Sequence, residues 1–571
     1  MSQHRIQAWV AGPLVACLLA ATTSMIAAET PAVNDGAQAD QSQKAKSQNV
    51  DLEKLRKQIA DQQKQIEAMQ KALAEQQRML DAAMTAGKTD AAAPAPTMAV
   101  PATRAPLGDV ASTTPMIPMS PSEAAMAGQP AEKASPLQFN IGNVTIIPVG
   151  FMDLTGVWRD KDAGSGIGSN FASVPYNNSL PTAKLSEFRF SPQNSRLGFR
   201  VDGDWKGAHF IGYNEFDFLG TSGNNAMGVT NGAFVPRIRL YWVDVHKDKF
   251  EFLAGQSWSM LTPNRVGISA LPGDLFYSQV MDVNYVVGLT WTRQPGVRFL
   301  IHPNDKVTFG ISVENPDQYI GGSGGLNAAA ITLPAALATT GTEFDNVSAS
   351  PLSTPNVTPD LIAKLAFDPI KRVHFEIAGL VRTFKDYNTV AHTYNTAVGA
   401  GGSINGNFEI AKGFRLITNN FWSDGGGRYL FGQAPDLILR ADGSISPIHA
   451  GGVVEGFEYQ ATKKLMLWAY YGGVYVGRDV AFDANGTTLI GYGYYKSSNN
   501  DNRAIQEATF GFTHNFWKDG KYGALTFIGQ YEYLTRNPWY YASPSPKQTH
   551  DSTIYADVRY TLPGSAPTIG K

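Results

Sequence analysis

The chain has almost no cysteine: the only one in 571 residues is Cys17, close to the start. Disulfide scaffolds, Cys-ligated zinc and thiol catalysis are therefore excluded for the body of the protein. Charge is also sparse, at 17% of residues, and Lys+Arg 47 against Asp+Glu 49 leaves a formal net charge of -2. No basic block interrupts this balance, so no phosphate-neutralising surface for nucleic acid is expected. After residue 28 no run of 18 or more apolar residues occurs, which removes a polytopic helical membrane protein. Enzyme signatures are missing as well. None of the nine histidines has H-E-x-x-H spacing, and the Gly-rich pieces 164–168, 321–325 and 399–406 lack the Lys and following helix of a phosphate loop. We therefore expect no enzymatic activity, no cofactor and no resident metal. What the chain has is Gly 56, Phe 29, Tyr 23 and Trp 10. Such Gly- and aromatic-rich composition, without long apolar runs, leaves an all-β membrane barrel standing.

The N-terminus reads as an export signal over 1–28. His4 and Arg5 precede an apolar stretch from Ile6 to about Ala21, and small residues end near Ala27 or Ala28. Leu14-Val15-Ala16-Cys17 resembles a lipobox, but the apolar run continues through Leu18, Leu19 and Ala20 as an ordinary signal core does. A coiled-coil segment is expected over 29–87. Leu52, Ile59, Ile66, Leu73 and Leu80 fall seven apart, with Leu55, Gln62, Met69 and Gln76 between them. A 3.5-residue period held this long requires partner helices, and Ile at the first seam with Gln at the second favours three strands. A Pro- and Ala-rich linker follows over 88–147, with nine prolines from Pro94 to Pro136. The barrel is assigned to 148–562 and a short tail to 563–571.

Within 148–562 the rhythm of connections is the strongest signal. Sixteen strands are expected, at about 149–160, 185–203, 207–219, 233–246, 249–258, 289–302, 306–314, 360–368, 372–385, 396–411, 413–423, 448–460, 463–476, 503–517, 521–535 and 551–562. Each can cross a bilayer as 9 to 11 tilted residues. Tight polar turns alternate with long loops, the sorting that a closed transmembrane barrel requires. Parity assigns Phe210, Phe216 and Phe218 to lipid, with Ile211, Tyr213, Glu215 and Asp217 inside. It likewise turns Val373, Phe375, Ile377 and Val381 outward and His374, Glu376 and Arg382 inward. Trp158, Trp242, Trp468, Trp517 and Tyr560, near strand ends, are candidates for interfacial girdles.

The segment Leu185-Ser186-Glu187-Phe188-Arg189-Phe190-Ser191-Pro192-Gln193-Asn194-Ser195-Arg196-Leu197-Gly198-Phe199-Arg200, with Gly255-Gln256-Ser257-Trp258 and Ser312-Val313-Glu314-Asn315-Pro316, resembles the DcaP-like porins of Gram-negative outer membranes. The layout of signal, coiled coil and sixteen-stranded barrel resembles that family too. Two features depart from it: the long Pro-rich linker, and a last strand that does not end the chain on an aromatic residue. The resemblance implies a homotrimer in outer-membrane lipid and lipopolysaccharide that passes small anionic solutes, dicarboxylates among them. The coiled coil would then lie in the periplasm, where cell-wall contact is conceivable.

Candidate lumen residues follow from parity. Arg189 is inward before Pro192, and Arg196 and Arg200 are inward after it if Pro192 marks a one-residue bulge. Arg237 and Arg239 share a face with Tyr241, opposite Ile238, Leu240 and Trp242; Arg298, Arg382 and Arg559 join them, interleaved with the acids Glu215 and Asp217. The loop 259–288, carrying Arg265, Asp274 and Asp282 beside Pro263, Pro272 and Gly273, is the candidate for a constriction folded into the lumen. Two other functions share these features: a phosphate- or pyrophosphate-selective porin, expected to carry fewer acids, and a non-conducting barrel that tethers the envelope.

Overall fold

Strand residues alternate in chemistry, and the computed structural model shows where each set goes. The structure describes residues 136–563, apart from 164–165, 177–180, 221–233, 272–274, 276–278, 321–330, 338–357, 389–390, 432 and 543. The signal, the coiled coil, most of the linker and residues 564–571 of the tail lie outside the described residues, as does Asp274.

The barrel strands are β1 (Val144–Arg159), β2 (Glu187–Ser191 continued by Arg196–Trp205), β3 (Ala208–Gly220), β4 (Val235–Lys247), β5 (Phe250–Trp258), β6 (Arg293–Asn304), β7 (Val307–Glu314) and β8 (Asp360–Ile370). They continue with β9 (Val373–Asn388), β10 (Thr393–Ala411), β11 (Phe414–Asp424), β12 (His449–Gln460), β13 (Leu465–Val476), β14 (Asn502–Asp519), β15 (Gly523–Pro538) and β16 (Thr549–Thr561). Every neighbour is antiparallel, and β1 closes the sheet on β16 through pairs from Phe151↔Thr561 to Arg159↔Thr553. Closure gives each backbone N–H and C=O a partner, the condition for crossing lipid with strands. Short hairpin loops lie at one end; loops and small appended hairpins, Leu437–Leu439 with Ile445–Pro447 and Asp479–Phe482 with Leu489–Tyr492, lie at the other.

The faces are inverted relative to a soluble protein. Phe190 (65%), Tyr241 (61%), Phe510 (56%) and Ile377 (44%) are exposed outward. Such a continuous apolar band would be an aggregation surface in water and is a solvation surface in lipid. On the inner face Arg200, Arg239, Glu215, Asp217, His374, Glu376 and Arg382 are buried. The parities read for Ala208 to Phe218 and for Arg372 to Phe384 therefore match the observed faces. The first strand starts five residues before its expected position, and Leu289–Thr292 belong to the preceding loop rather than to β6.

Two irregularities set the phase of the inward arginines. Between Phe151↔Arg196 and Thr155↔Ser191, β2 uses one more residue than β1, so a one-residue bulge spans Pro192–Ser195. A second bulge sits at Arg239, where Glu215↔Leu240 is followed directly by Phe216↔Ile238. Simple parity fails there. Leu240 and Trp242 are buried inside while Tyr241 faces lipid, the reverse of their expected sides. Trp468 also points inward, packed with Tyr470, so neither it nor Trp242 belongs to a girdle. Trp517 and Tyr560 do pair near the turn end, with ring centroids 6.1 Å apart.

Candidate functional site: an ionic lumen crossed by an inward loop

The described residues of the segment 259–292, between β5 and β6, run inside the barrel, and wall side chains accept from several of their backbone N–H groups. Met260 N–H donates to Glu314 (2.7 Å), Gln279 N–H to the Tyr470 hydroxyl (3.0 Å), Val287 N–H to Glu507 (2.9 Å) and Thr290 N–H to Asn419 (3.0 Å). Lys364 Nζ donates to Thr262 O and Asn264 Oδ1, both at 2.9 Å, and pairs with Glu376 at 2.8 Å. These contacts span strands from β7 to β14, so the loop crosses the interior rather than hugging its own hairpin. Irregular backbone at membrane depth is tolerated because protein surrounds it.

Arg265 and Asp282 act at opposite reaches of this loop. Arg265 forks onto Glu458 with bonds of 3.0 and 2.7 Å, and both partners are buried. Asp282 accepts from Ser169 N–H (2.8 Å), Asn284 N–H (2.7 Å) and the Tyr555 hydroxyl (3.0 Å). Burial raises the Asp282 carboxyl above the usual carboxylate range, against the backbone donors that lower it. Both residues bind the loop to the wall instead of presenting charge to the solvent.

The arginines divide into two groups. In the first, carboxylates hold the guanidinium closely. Arg200 forks onto Asp202 (2.7 Å twice), Arg559 meets Asp153 (2.9 Å), and Arg382 meets Asp360 (3.0 Å) and Asp436 (2.9 Å), fastening the loop 425–448. Arg298 donates to Ser257 Oγ at 3.0 Å. Arg189 keeps the inward phase of Glu187, pairs with it at 2.6 Å, and leaves 42% of its side chain exposed.

The second group gathers beside the loop. Arg239 contacts Glu215 (2.6 Å) and Asp217 (2.9 Å), Arg196 contacts Glu215 (3.6 Å), and Arg237 contacts Asp217 (2.7 Å) with 39% of its side chain exposed. Arg239 also donates to the Tyr285 hydroxyl at 3.3 Å. Arg293, which the sequence reading did not single out, stands within electrostatic reach of Arg237 and Arg239. Its guanidinium lies 5.4 Å from the Trp258 ring centroid, and its buried Nε and Nη1 have no acceptor. Trp258, Tyr285, Trp291 and Phe431 form an aromatic floor here, with Trp291 and Phe431 stacked at 4.4 Å. Arg293 begins β6 just where the inward loop ends, so its phase depended on a boundary the sequence placed four residues early.

A closed sixteen-stranded barrel, apolar outside and ionic inside, with one long loop drawn into its lumen, is the fold of a porin-type outer-membrane channel. It is similar to the outer-membrane channel DcaP of Acinetobacter baumannii, with a TM-score of 0.54 and 17% identity over 74% of this chain and 99% of that one. The chain thus has the fold of a DcaP-like porin. Further matches are an anion-selective porin from Comamonas acidovorans (TM-score 0.41, 12% identity, 73% of this chain and 99% of that one) and OmpF of Salmonella typhi (TM-score 0.40, 12% identity, 74% and 99%). No family model and no curated protein matches the sequence.

Proposed function

We propose that this protein is a homotrimeric diffusion channel of the outer membrane, embedded in lipid and lipopolysaccharide, that passes small anionic solutes such as dicarboxylates. The coiled coil would lie in the periplasm. The observation that supports the reading is the charge count within the one arginine cluster gathered around Trp258 and Tyr285 beside the inward loop. Arg196, Arg237, Arg239 and Arg293 supply four positive charges, and Glu215 and Asp217 supply two negative ones, leaving two net positive charges. Arg293 adds a positive charge within electrostatic reach of Arg237 and Arg239, so it contributes to the field that a passing carboxylate meets.

Such a site needs weak binding. A carboxylate at about 4 Å from one guanidinium gains only about 1 kcal/mol in water, too little to trap it. A focused field of a few such groups enriches anions locally and still releases them. The test is the reversal potential of the purified protein in planar bilayers under a salt gradient, followed by competition between a dicarboxylate and phosphate. An anionic reversal potential with block by the dicarboxylate is expected. Preferential block by phosphate or pyrophosphate would favour the phosphate-selective alternative, and absence of conductance would favour an envelope tether.

A further inference from the structure

The histidines carry no metal-binding spacing in the sequence, yet three adjacent strands bring two of them onto one carboxylate. His246 is the penultimate residue of β4, Glu251 lies opposite it at the start of β5, and His302 is near the end of β6. All three point inward at the short-turn end of the barrel. His246 Nε2 is 2.5 Å and His302 Nε2 2.8 Å from the same Glu251 oxygen, and the three candidate ligand atoms lie within 4.8 Å of one another. The imidazoles are partly accessible, at 30% and 27% of their side chains, whereas Glu251 is buried. Solvent therefore reaches both imidazole side chains.

Two neighbours extend this arrangement. Asp244, two residues before His246 on the same inward face, is buried, and its Oδ1 has no hydrogen-bond partner. It is within electrostatic reach of both His246 and Glu251. On β7, the buried Thr308 places its hydroxyl 3.3 Å from His302 Nδ1. Outer partners of this kind fix the tautomer and ring orientation of a ligating imidazole.

We propose that His246, Glu251 and His302, with the Asp244 carboxylate within electrostatic reach, form a transition-metal site suited to Zn²⁺ at the turn end of the lumen. Two imidazole nitrogens and one carboxylate oxygen are a recurrent zinc donor set, completed by a further oxygen or water. With metal–ligand bonds of about 2.0 to 2.1 Å, tetrahedral ligand atoms stand roughly 3.3 Å apart. The observed 2.5 and 2.8 Å His–Glu251 separations thus need to widen by less than about 1 Å, and the two imidazole nitrogens, within 4.8 Å of each other, need to close by at most about 1.5 Å. The alternative use of this geometry is two imidazoles hydrogen-bonded to one carboxylate, an arrangement that takes up no metal.

Metal binding separates the two, independently of the channel's selectivity. The full-length protein, without a polyhistidine tag, is stripped with chelator in mild detergent and titrated calorimetrically with ZnCl₂. One Zn²⁺ per chain with micromolar or tighter affinity is expected, with no competition from Ca²⁺, which prefers all-oxygen sites. His302→Ala and the isosteric Glu251→Gln should each weaken binding by at least roughly tenfold while the heat-modifiable folded band is retained. His449→Ala, at the opposite end and paired with Asp424, should leave binding unchanged. Absence of binding by the wild type at about 100 μM Zn²⁺, or full affinity in a folded Glu251→Gln variant, would overturn the site.

Discussion

Removing Arg237 and Arg293 together tests the charge count directly. With both replaced by Ala, Arg196 and Arg239 remain against Glu215 and Asp217, so the net charge beside the loop falls from two to zero. Two charges acting on a solute about 8 Å away through water contribute roughly 1 kcal/mol before screening. With a Debye length of about 10 Å at 0.1 M salt, about half of this survives. An energy of about 0.5 kcal/mol favours an anion and disfavours a cation equally, so the permeability ratio changes about fivefold at 0.1 M. At 1 M, where the Debye length is about 3 Å, the effect vanishes. The assay is the reversal potential of wild type and Arg237→Ala/Arg293→Ala across a salt gradient, repeated at low and high ionic strength. Arg200→Ala combined with Asp202→Ala is the control, because removing both members of a matched pair leaves the net charge unchanged. If the Arg237→Ala/Arg293→Ala variant keeps its anion preference at 0.1 M, or the Arg200→Ala/Asp202→Ala variant loses as much, the selectivity does not arise from this cluster.

Arg265→Ala leaves Glu458 buried without its cation, a loss of about 3 to 5 kcal/mol by analogy with other broken buried pairs; single-channel recordings should show a larger and noisier conductance. Asp501, in the loop before β14, is pushed up to about 6 by burial, although the Gly493 N–H at 2.8 Å opposes the shift. The folded state thus holds this proton more tightly than the unfolded chain. Its contribution, about 3 kcal/mol, is complete below about pH 4 and lost as pH rises through 6. Proteolysis of loop 477–501 should accordingly be slower at pH 4.5 than at pH 7, and Asp501→Asn should remove the difference. Gly255→Ala should abolish the folded, heat-modifiable band, because φ is +135° and a Cβ would lie 2.3 Å from Tyr241 O; Gly379→Ala, where a Cβ meets nothing within 4 Å, should fold normally. Unheated detergent extract should migrate as a trimer that collapses to monomer on boiling, and deletion of 50–84 should leave barrel folding intact, since the sixteen strands that close the barrel all lie within 144–561.

The barrel was legible because two of its constraints are local. Turn chemistry marks each short hairpin, as at Asp248 and Lys206, both with positive φ, and a period of two marks each strand between them. The interior was only partly legible, because parity assumes an unbroken strand. It carried Arg196 and Arg200 correctly across Pro192, where a proline advertises the bulge. It failed past Arg239, where the extra residue falls against Glu215 and Phe216 of β3 and no residue of β4 signals it. The pairing of inward charges was less legible still. Arg265 with Glu458 and Lys364 with Glu376 join residues that only the closed barrel and its inward loop bring together.

The bulge at Arg239 also explains why the cluster lies where it does. Without an extra residue, Arg237, Arg239 and Tyr241 would share one phase, and a tyrosine would stand on the inner wall next to the loop. The bulge lets Arg237 and Arg239 stay inside and shifts the following residues by one, so that Leu240 and Trp242 pack inward with Tyr213 and Leu253 while Tyr241 passes to lipid. The same shift brings both arginines to Asp217, which therefore holds two guanidinium groups at once. Just past the bulge, on the β5 side, Gly255 lies opposite Trp242, where only a residue without a Cβ fits against the Tyr241 and Trp242 backbone at that φ. The arginine cluster is thus a consequence of strand geometry as much as of arginine content: the acids fix the guanidinium groups in place, and under the proposed function the excess of arginines over acids would set the sign of the field.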